Sequence, residues 1–107
     1  MTNRKSVKQI AAEIRSGRSV VEVVEESLAA AERANPEHFS FITIMRDQAL
    51  LRAAKVDAWR REGHDGVLLE GVPFAAKDMF ETAGVLTTGG SPVLKDNVPD
   101  TSALVIT

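Results

Sequence analysis

Apolar residues recur at helical spacing three times in the first part of the chain. Val7, Ile10, Ala11 and Ile14 share one face, which predicts a short amphipathic helix. Ser6 and Gln9 are spaced as a capping box at its start, and Gly17 stands where a C-terminal cap belongs. A second pair, Ser19 and Glu22, opens a longer helix with Val21, Val24, Leu28 and Ala31 on one face. Pro36 is expected to stop it, because proline disfavours helical backbone in the residue before it. A third helix is expected from near Asp47, an acceptable N-cap, with Leu50, Leu51, Ala54 and Ala58 turned inward. "EGHDG" should break it, with Trp59 covering its end. Between the second and third helices, "FSFITIM" has the β-branched and aromatic content of a strand. Phe39, Phe41, Thr43 and Met45 would lie on one side of it, and Ser40, Ile42 and Ile44 on the other.

Further along, the pattern shortens. "GVLLEGVPFAAK" has short apolar runs bounded by glycine, and Pro73 must sit near the start or edge of any strand because it cannot donate to a ladder. "ETAGVLTTGGSP" is loop-like, and "VPDTSALVIT" opens with Asp100 or Thr101 as a candidate N-cap for about two helical turns. Helices followed by short strands suggest an α/β protein, with too few strands to close its sheet. No repeat, low-complexity segment or linker interrupts the 107 residues, a length that suits one domain.

Composition narrows the chemistry. A net charge of -2 supplies no basic surface, so neither nucleic acid nor an acidic membrane is suggested as a partner. With no cysteine, thiolate metal sites, disulfides and a cysteine nucleophile are excluded. His38 and His64 are far apart and in no ligand spacing, so they read as surface residues, and no metal or cofactor is expected. "TTGGSP" lacks the lysine and hydroxyl that close a phosphate-binding loop, and "GVPFAAKD" lacks the glycine spacing of a dinucleotide site. Glu22, Glu25, Glu26 and Glu32 read as a solvated helix face. The start "MTNRKSVKQIAAEIRS" is interrupted by charge before any apolar run suited to a signal peptide or membrane span, so a cytoplasmic protein is the default expectation.

Lys77 is the candidate that matters most. On spacing alone it reads as a strand-end lysine weakly paired with Asp78 at the surface. The phrases "GVPFAAKD", "TAGVLTTGGSPVL" and "VPDTSALV" in that order, however, resemble the N-terminal part of the amidase signature family, serine hydrolases that cleave carboxamide carbon–nitrogen bonds. "SVVEVVEESLAAAERANPEHFSFITIM" is similar to that family's leading helices and the extended segment after them.

The resemblance implies a fold and a role. Residues 1–107 would be the N-terminal part of a single amidase signature domain: leading helices and the first strands of a mixed sheet, cut before the catalytic serine-rich segment. It maps the catalytic lysine of a serine–serine–lysine triad onto Lys77. A neutral lysine would take a proton through a bridging serine on a cis peptide, a second serine would attack the amide, and water would hydrolyse the acyl-enzyme. A base role needs the neutral amine, which the apolar Val72, Phe74, Ala75 and Ala76 would favour by desolvation. Asp78 would oppose that if close, so its carboxylate is expected to turn away and cap backbone N–H groups. Neither serine of the triad is present. Ser91 reads as a turn residue because Pro92 restricts the backbone there, and Thr87, Thr88, Gly89 and Gly90 would shape the loop. The chain alone would therefore be inactive, poorly folded beyond its helices and prone to associate, with a homo-oligomer allowed. Its partner in the complete enzyme would be a small-molecule amide, and the parent a free amidase or one component of an amidotransferase. The alternative is a non-catalytic helical association domain built on an amidase scaffold.

Overall fold

The computed structural model describes residues 4–64 and 67–106, which group into two compact units, Met1–Pro73 and Phe74–Thr107. The first is helical: α1 (Val7–Arg15), α2 (Val20–His38) and α3 (Arg46–Arg61). Its core is built from Ile14, Val20, Val23, Val24, Leu28, Ala53 and Val56, with Ile10, Val21, Ile44, Ala49, Leu50 and Val72 packed around them. Burying aliphatic side chains of this size stabilises by about 1.5–3 kcal/mol each, so this cluster carries the unit.

The ends of α1 follow from sequence. Ser6 Oγ accepts from the Gln9 N–H and the Gln9 side chain accepts from the Ser6 N–H, a complete capping box. At the other end Gly17 N donates to Ile14 O and Arg18 N to Glu13 O, the two bonds of a Schellman motif, with Gly17 at a φ of 111°.

The start of α2 is less local than expected. Ser19 Oγ accepts from the Glu22 N–H at 3.4 Å, but the Glu22 carboxylate turns to Arg18 and leaves the capping box half formed. The stronger cap comes from α3. Asp57 accepts from Val20 N at 2.8 Å, from Val21 N at 3.1 Å and from the Ser19 hydroxyl at 2.8 Å. Burial pushes the Asp57 carboxyl up, but those three bonds and the nearby Arg61 charge outweigh it and hold the group below its ordinary value. Asp57→Ala removes three acceptor contacts at a partly buried helix terminus. It is expected to destabilise the unit by about 1–3 kcal/mol; chemical denaturation followed by helical circular dichroism checks this, and an unchanged midpoint would overturn it.

Pro36 does not stop α2. It falls in the last turn, and the helix runs on to His38 without the hydrogen bond that an N–H at position 36 would donate to Glu32 O. Phe39 then adopts the left-handed conformation with a φ of 52°, its N–H bonded to Asn35 O.

The strands expected in "FSFITIM" and "GVPFAAK" are corrected: no strand forms among the described residues. In the first, the Asn35 side chain occupies both backbone groups of Phe41, accepting from its N–H at 2.8 Å and donating to its carbonyl at 3.0 Å. Residues 72–77 run irregularly with no ladder partner, and a strand is defined by its partner. The helix expected after Asp100 is also absent among the described residues, replaced by bends and turns; the regular element described in the second unit is a 3-10 turn at Pro92–Leu94.

α3 begins at Arg46, with Asp47 inside its first turn and not at the cap. Its buried residues are Ala53 and Val56, while Leu51 and Ala54 are exposed, so the inward face is rotated from the one expected. Arg46 explains part of this: it donates to Glu32 at 2.6 Å and to Glu25 at 2.7 Å, pinning the start of α3 to α2. Arg18 likewise bonds Glu22 and Glu26. The glutamates read as a solvated face are thus ion-paired. The helix ends at Arg61, where Trp59 stacks on His64 with ring centroids 4.9 Å apart. Asp65 and Gly66 of "EGHDG" lie outside the described residues.

Candidate functional site

In the second unit, Lys77 ends the irregular run from Val72 and starts a turn in which Phe80 N donates to the Lys77 carbonyl. Its side chain is exposed and makes no ion pair within 4 Å among the described residues. The weak pair with Asp78 suggested by spacing does not form. Of the apolar residues expected around it, Phe74 is 77% exposed and Ala75 and Ala76 are open to solvent, while Val72 is half-buried against the helical core of the first unit. Any burial of Lys77 must come from outside these residues.

The Asp78 carboxylate turns away from its neighbour and organises a loop. One oxygen accepts from Thr88 N at 2.8 Å, the other from the Thr88 hydroxyl, and that hydroxyl accepts from Gly90 N at 3.2 Å. The Asp78 carbonyl accepts from Gly89 N at 2.7 Å. Gly89 and Gly90 both have positive φ, 59° and 72°, which lets the chain curl tightly enough to present these N–H groups. The hydrogen bonds from Thr88 hold the Asp78 carboxyl below its ordinary value, and the glycine N–H groups add to them. Thr88 is therefore a loop-shaping residue, as expected.

Thr87 is held from its other side by a residue the sequence reading missed. Thr87 N donates to Asn97 O at 2.9 Å, and the Asn97 side chain donates back to Thr87 O at 2.9 Å. Asn97 fits the turn chemistry of "KDNVP", the signal that could have found it. Ser91 caps the 3-10 turn, its hydroxyl accepting from Val93 N, which is the turn role read from sequence.

These contacts predict a pH response. A carboxyl whose native value is lowered contributes fully above the unfolded aspartate value of about 3.9 and loses its contribution as pH falls through the lower native value. The Thr88 and Gly89 amide resonances are accordingly expected to stay constant above that pH and to shift as acid is added below it. Asp78→Asn should flatten this titration, and a persisting one would assign it to another group.

In the first unit an open groove is lined by Ile14, Gly17, Arg18, Ser19, Asp57, Arg60 and Arg61. Its polar groups serve the fold: Asp57 caps α2, Arg18 pairs with glutamates, and Arg60 donates to the Ile14 carbonyl. Among the described residues no cluster of three metal-ligating side chains occurs, and no helix is long and apolar enough to cross a membrane.

Residues 22–107, which include Lys77, Asp78 and the whole loop they organise, match the family model described as Amidase. The chain belongs to the Amidase family. Its relatives include the glutamyl-tRNA(Gln) amidotransferase subunit of Marinobacter nauticus, 39% identical over 104 residues, covering 96% of this chain and 21% of the relative. The protein of the same name from Streptomyces coelicolor is 40% identical over 98 residues, or 91% of this chain and 20% of the relative. That from a Picosynechococcus species is 43% identical over 82 residues, 77% of this chain and 17% of the relative. The fold is similar to a chain from a solved structure described as an unexpected vestigial protein complex that reveals the evolutionary origins of an s-triazine catabolic enzyme. That likeness has a TM-score of 0.90 at 27% identity and covers 95% of this chain and 23% of the other. The Amidase-family chain thus spans about a fifth of the length of the curated relatives it matches.

Proposed function

We propose that residues 1–107 are the N-terminal part of one amidase domain that hydrolyses carboxamide carbon–nitrogen bonds, with Lys77 as its base. The observation that carries this reading is the family match across Lys77, together with the way Asp78 is occupied by Thr88 and the loop glycines, which leaves the lysine without a facing carboxylate. The two serines of the triad would come from polypeptide outside these residues. In that reading neutral Lys77 accepts a proton relayed by the bridging serine as the second serine's Oγ bonds the amide carbon. The carbon–nitrogen bond then breaks, the relayed proton leaves with the amine, and water hydrolyses the resulting ester. In this reading the nucleophile and the oxyanion hole also lie in polypeptide outside these residues, and the 107 residues by themselves should not turn over.

Between a free amidase and one component of an amidotransferase, the names of the relatives favour the second, whose substrate would be a small amide donor. A cytoplasmic setting accords with either. The test is amide hydrolysis by a complete enzyme carrying this sequence as its N-terminal part, with and without Lys77→Ala. Retained activity in the substituted protein would overturn the role of Lys77 and leave the non-catalytic association domain as the better reading.

A further inference from the structure

The chain places a carboxylate directly beside the proposed base and then ties it down. Asp78 follows Lys77, and a carboxylate within about 4–6 Å of an amine favours its charged form. A lysine that must be neutral to accept a proton is therefore opposed by its own neighbour unless that neighbour is held elsewhere. The other charged residues of the second unit, Glu81, Lys95, Asp96 and Asp100, lie further along the chain, and among the described residues none of this unit forms an ion pair within 4 Å. The tie is Thr88. It is 8% exposed, its N–H donates to one Asp78 oxygen at 2.8 Å and its hydroxyl to the other, and the hydroxyl in turn accepts from Gly90 N at 3.2 Å. The bond from the hydroxyl is the foremost reason that the Asp78 carboxyl lies below its ordinary value, so the negative charge is present throughout the range in which an amine can lose its proton.

We propose that Thr88 is a positioning residue for Lys77: its buried hydroxyl holds the Asp78 carboxylate off the lysine amine, which leaves the amine free to be neutral and act as the base. The loop has other anchors for its shape. Gly89 N donates to the Asp78 carbonyl at 2.7 Å, and Asn97 grips the backbone of Thr87 at two points, whereas the Thr88 hydroxyl is the donor that holds the second carboxylate oxygen. Removing that hydroxyl leaves a charged oxygen without its donor, and pairing with the adjacent ammonium is the contact that would replace it. The inference rests on the reading of Lys77 as the base, and it adds that the readiness of that base depends on a threonine further along the chain.

The test is the pH profile of kcat/KM for ammonia release from a primary carboxamide, which reports the groups of the free enzyme, in a complete enzyme carrying this sequence as its N-terminal part. Thr88→Val keeps the shape of the side chain and loses the hydroxyl. Its acid limb is expected to move upward by about one pH unit or more, because an opposite charge nearby raises the pH at which lysine gives up its proton by about that much, and kcat/KM at a fixed pH on the limb falls about tenfold for each unit. Thr88→Ser regains the hydroxyl and should regain the parent's profile. Adding Asp78→Asn to Thr88→Val should return the limb to the parent's position, since no carboxylate is left to be released; damage to the loop alone would not be repaired by removing a charge. A limb unmoved in Thr88→Val overturns the proposal, and so does one that moves and is not returned by Asp78→Asn. If Thr88→Val does not fold, Asp78→Glu is compared with Asp78→Asn: the longer carboxylate overruns its contacts with Thr88 and should raise the limb, the amide should not, and equal limbs would overturn the proposal. Failure of the amidase reading is distinguishable, because it appears as activity retained by Lys77→Ala, which takes this inference down with it, whereas failure of the role of Thr88 alone leaves Lys77→Ala inactive.

Discussion

Lys77→Ala, in a complete enzyme containing this sequence, is expected to lower kcat/KM for a carboxamide by about 10²–10⁴-fold, the contribution typical of a positioned general base. The loss should fall on kcat more than on KM, because the proton leaves the nucleophile in the transition state and not in the bound substrate. Stability should barely move: the Lys77 side chain is exposed, and only its backbone carbonyl is used, accepting from Phe80 N. Lys77→Arg is the informative companion. Arginine keeps the charge and length but does not surrender its proton, so an electrostatic role would survive the change and a base role would not. Steady-state kinetics on the three proteins, with thermal melting as the folding control, decide the matter. A substituted enzyme within threefold or so of the parent would remove Lys77 from the mechanism.

The largest expected effect on stability lies elsewhere, at Gly71. Its φ is 89°, and a methyl group there would sit 2.7 Å from Val20 Cγ2 and 3.2 Å from Ile14 Cδ1. Ile14 and Val20 are the two most completely buried large side chains, so neither can yield without opening the core. Overpacking of this kind costs about 1–3 kcal/mol, and left-handed backbone in alanine adds about 1–2 kcal/mol. Gly71→Ala is therefore expected to destabilise the first unit by about 2–5 kcal/mol, a fall in Tm of at least about 10 °C for a unit of this size. Gly17→Ala is the matched comparison, since Gly17 also has a positive φ, 111°, but open space where the methyl would go. It should lose only the backbone part, about 1–2 kcal/mol. If the two variants melt together, packing against Val20 is not what requires glycine at position 71.

These two sites differ in how visible they are from sequence. Lys77 stands out because a charged residue follows an apolar run within a recognisable phrase, whereas Gly71 is one of several glycines in a loop-rich stretch. Its importance appears only once residue 71 meets residues 14 and 20, which lie far from it in the chain. Asp57 is similar. Nothing in "KVDAW" marks it as the cap of a helix that begins 37 residues earlier.

Several features that depend on neighbours within a few residues were determined by the sequence itself. The capping box at Ser6 and Gln9, the glycine-terminated end of α1 and the turn at Ser91 belong here, because each rests on short-range hydrogen bonding or backbone preference. Tertiary structure decided the rest. The segment from Phe39 to Met45 has the composition of a strand, yet composition supplies no partner, and the Asn35 side chain takes the Phe41 backbone groups that a ladder would need. The inward face of α3 turned to Ala53 and Val56 because contact with α2 and the pairing of Arg46 with Glu25 and Glu32 set the helix's rotation, which its own weakly amphipathic pattern left open. Residues 74–106 kept their hydrogen-bonded turns without burying an apolar side chain, since turns are local and a core needs apolar side chains from distant positions brought together.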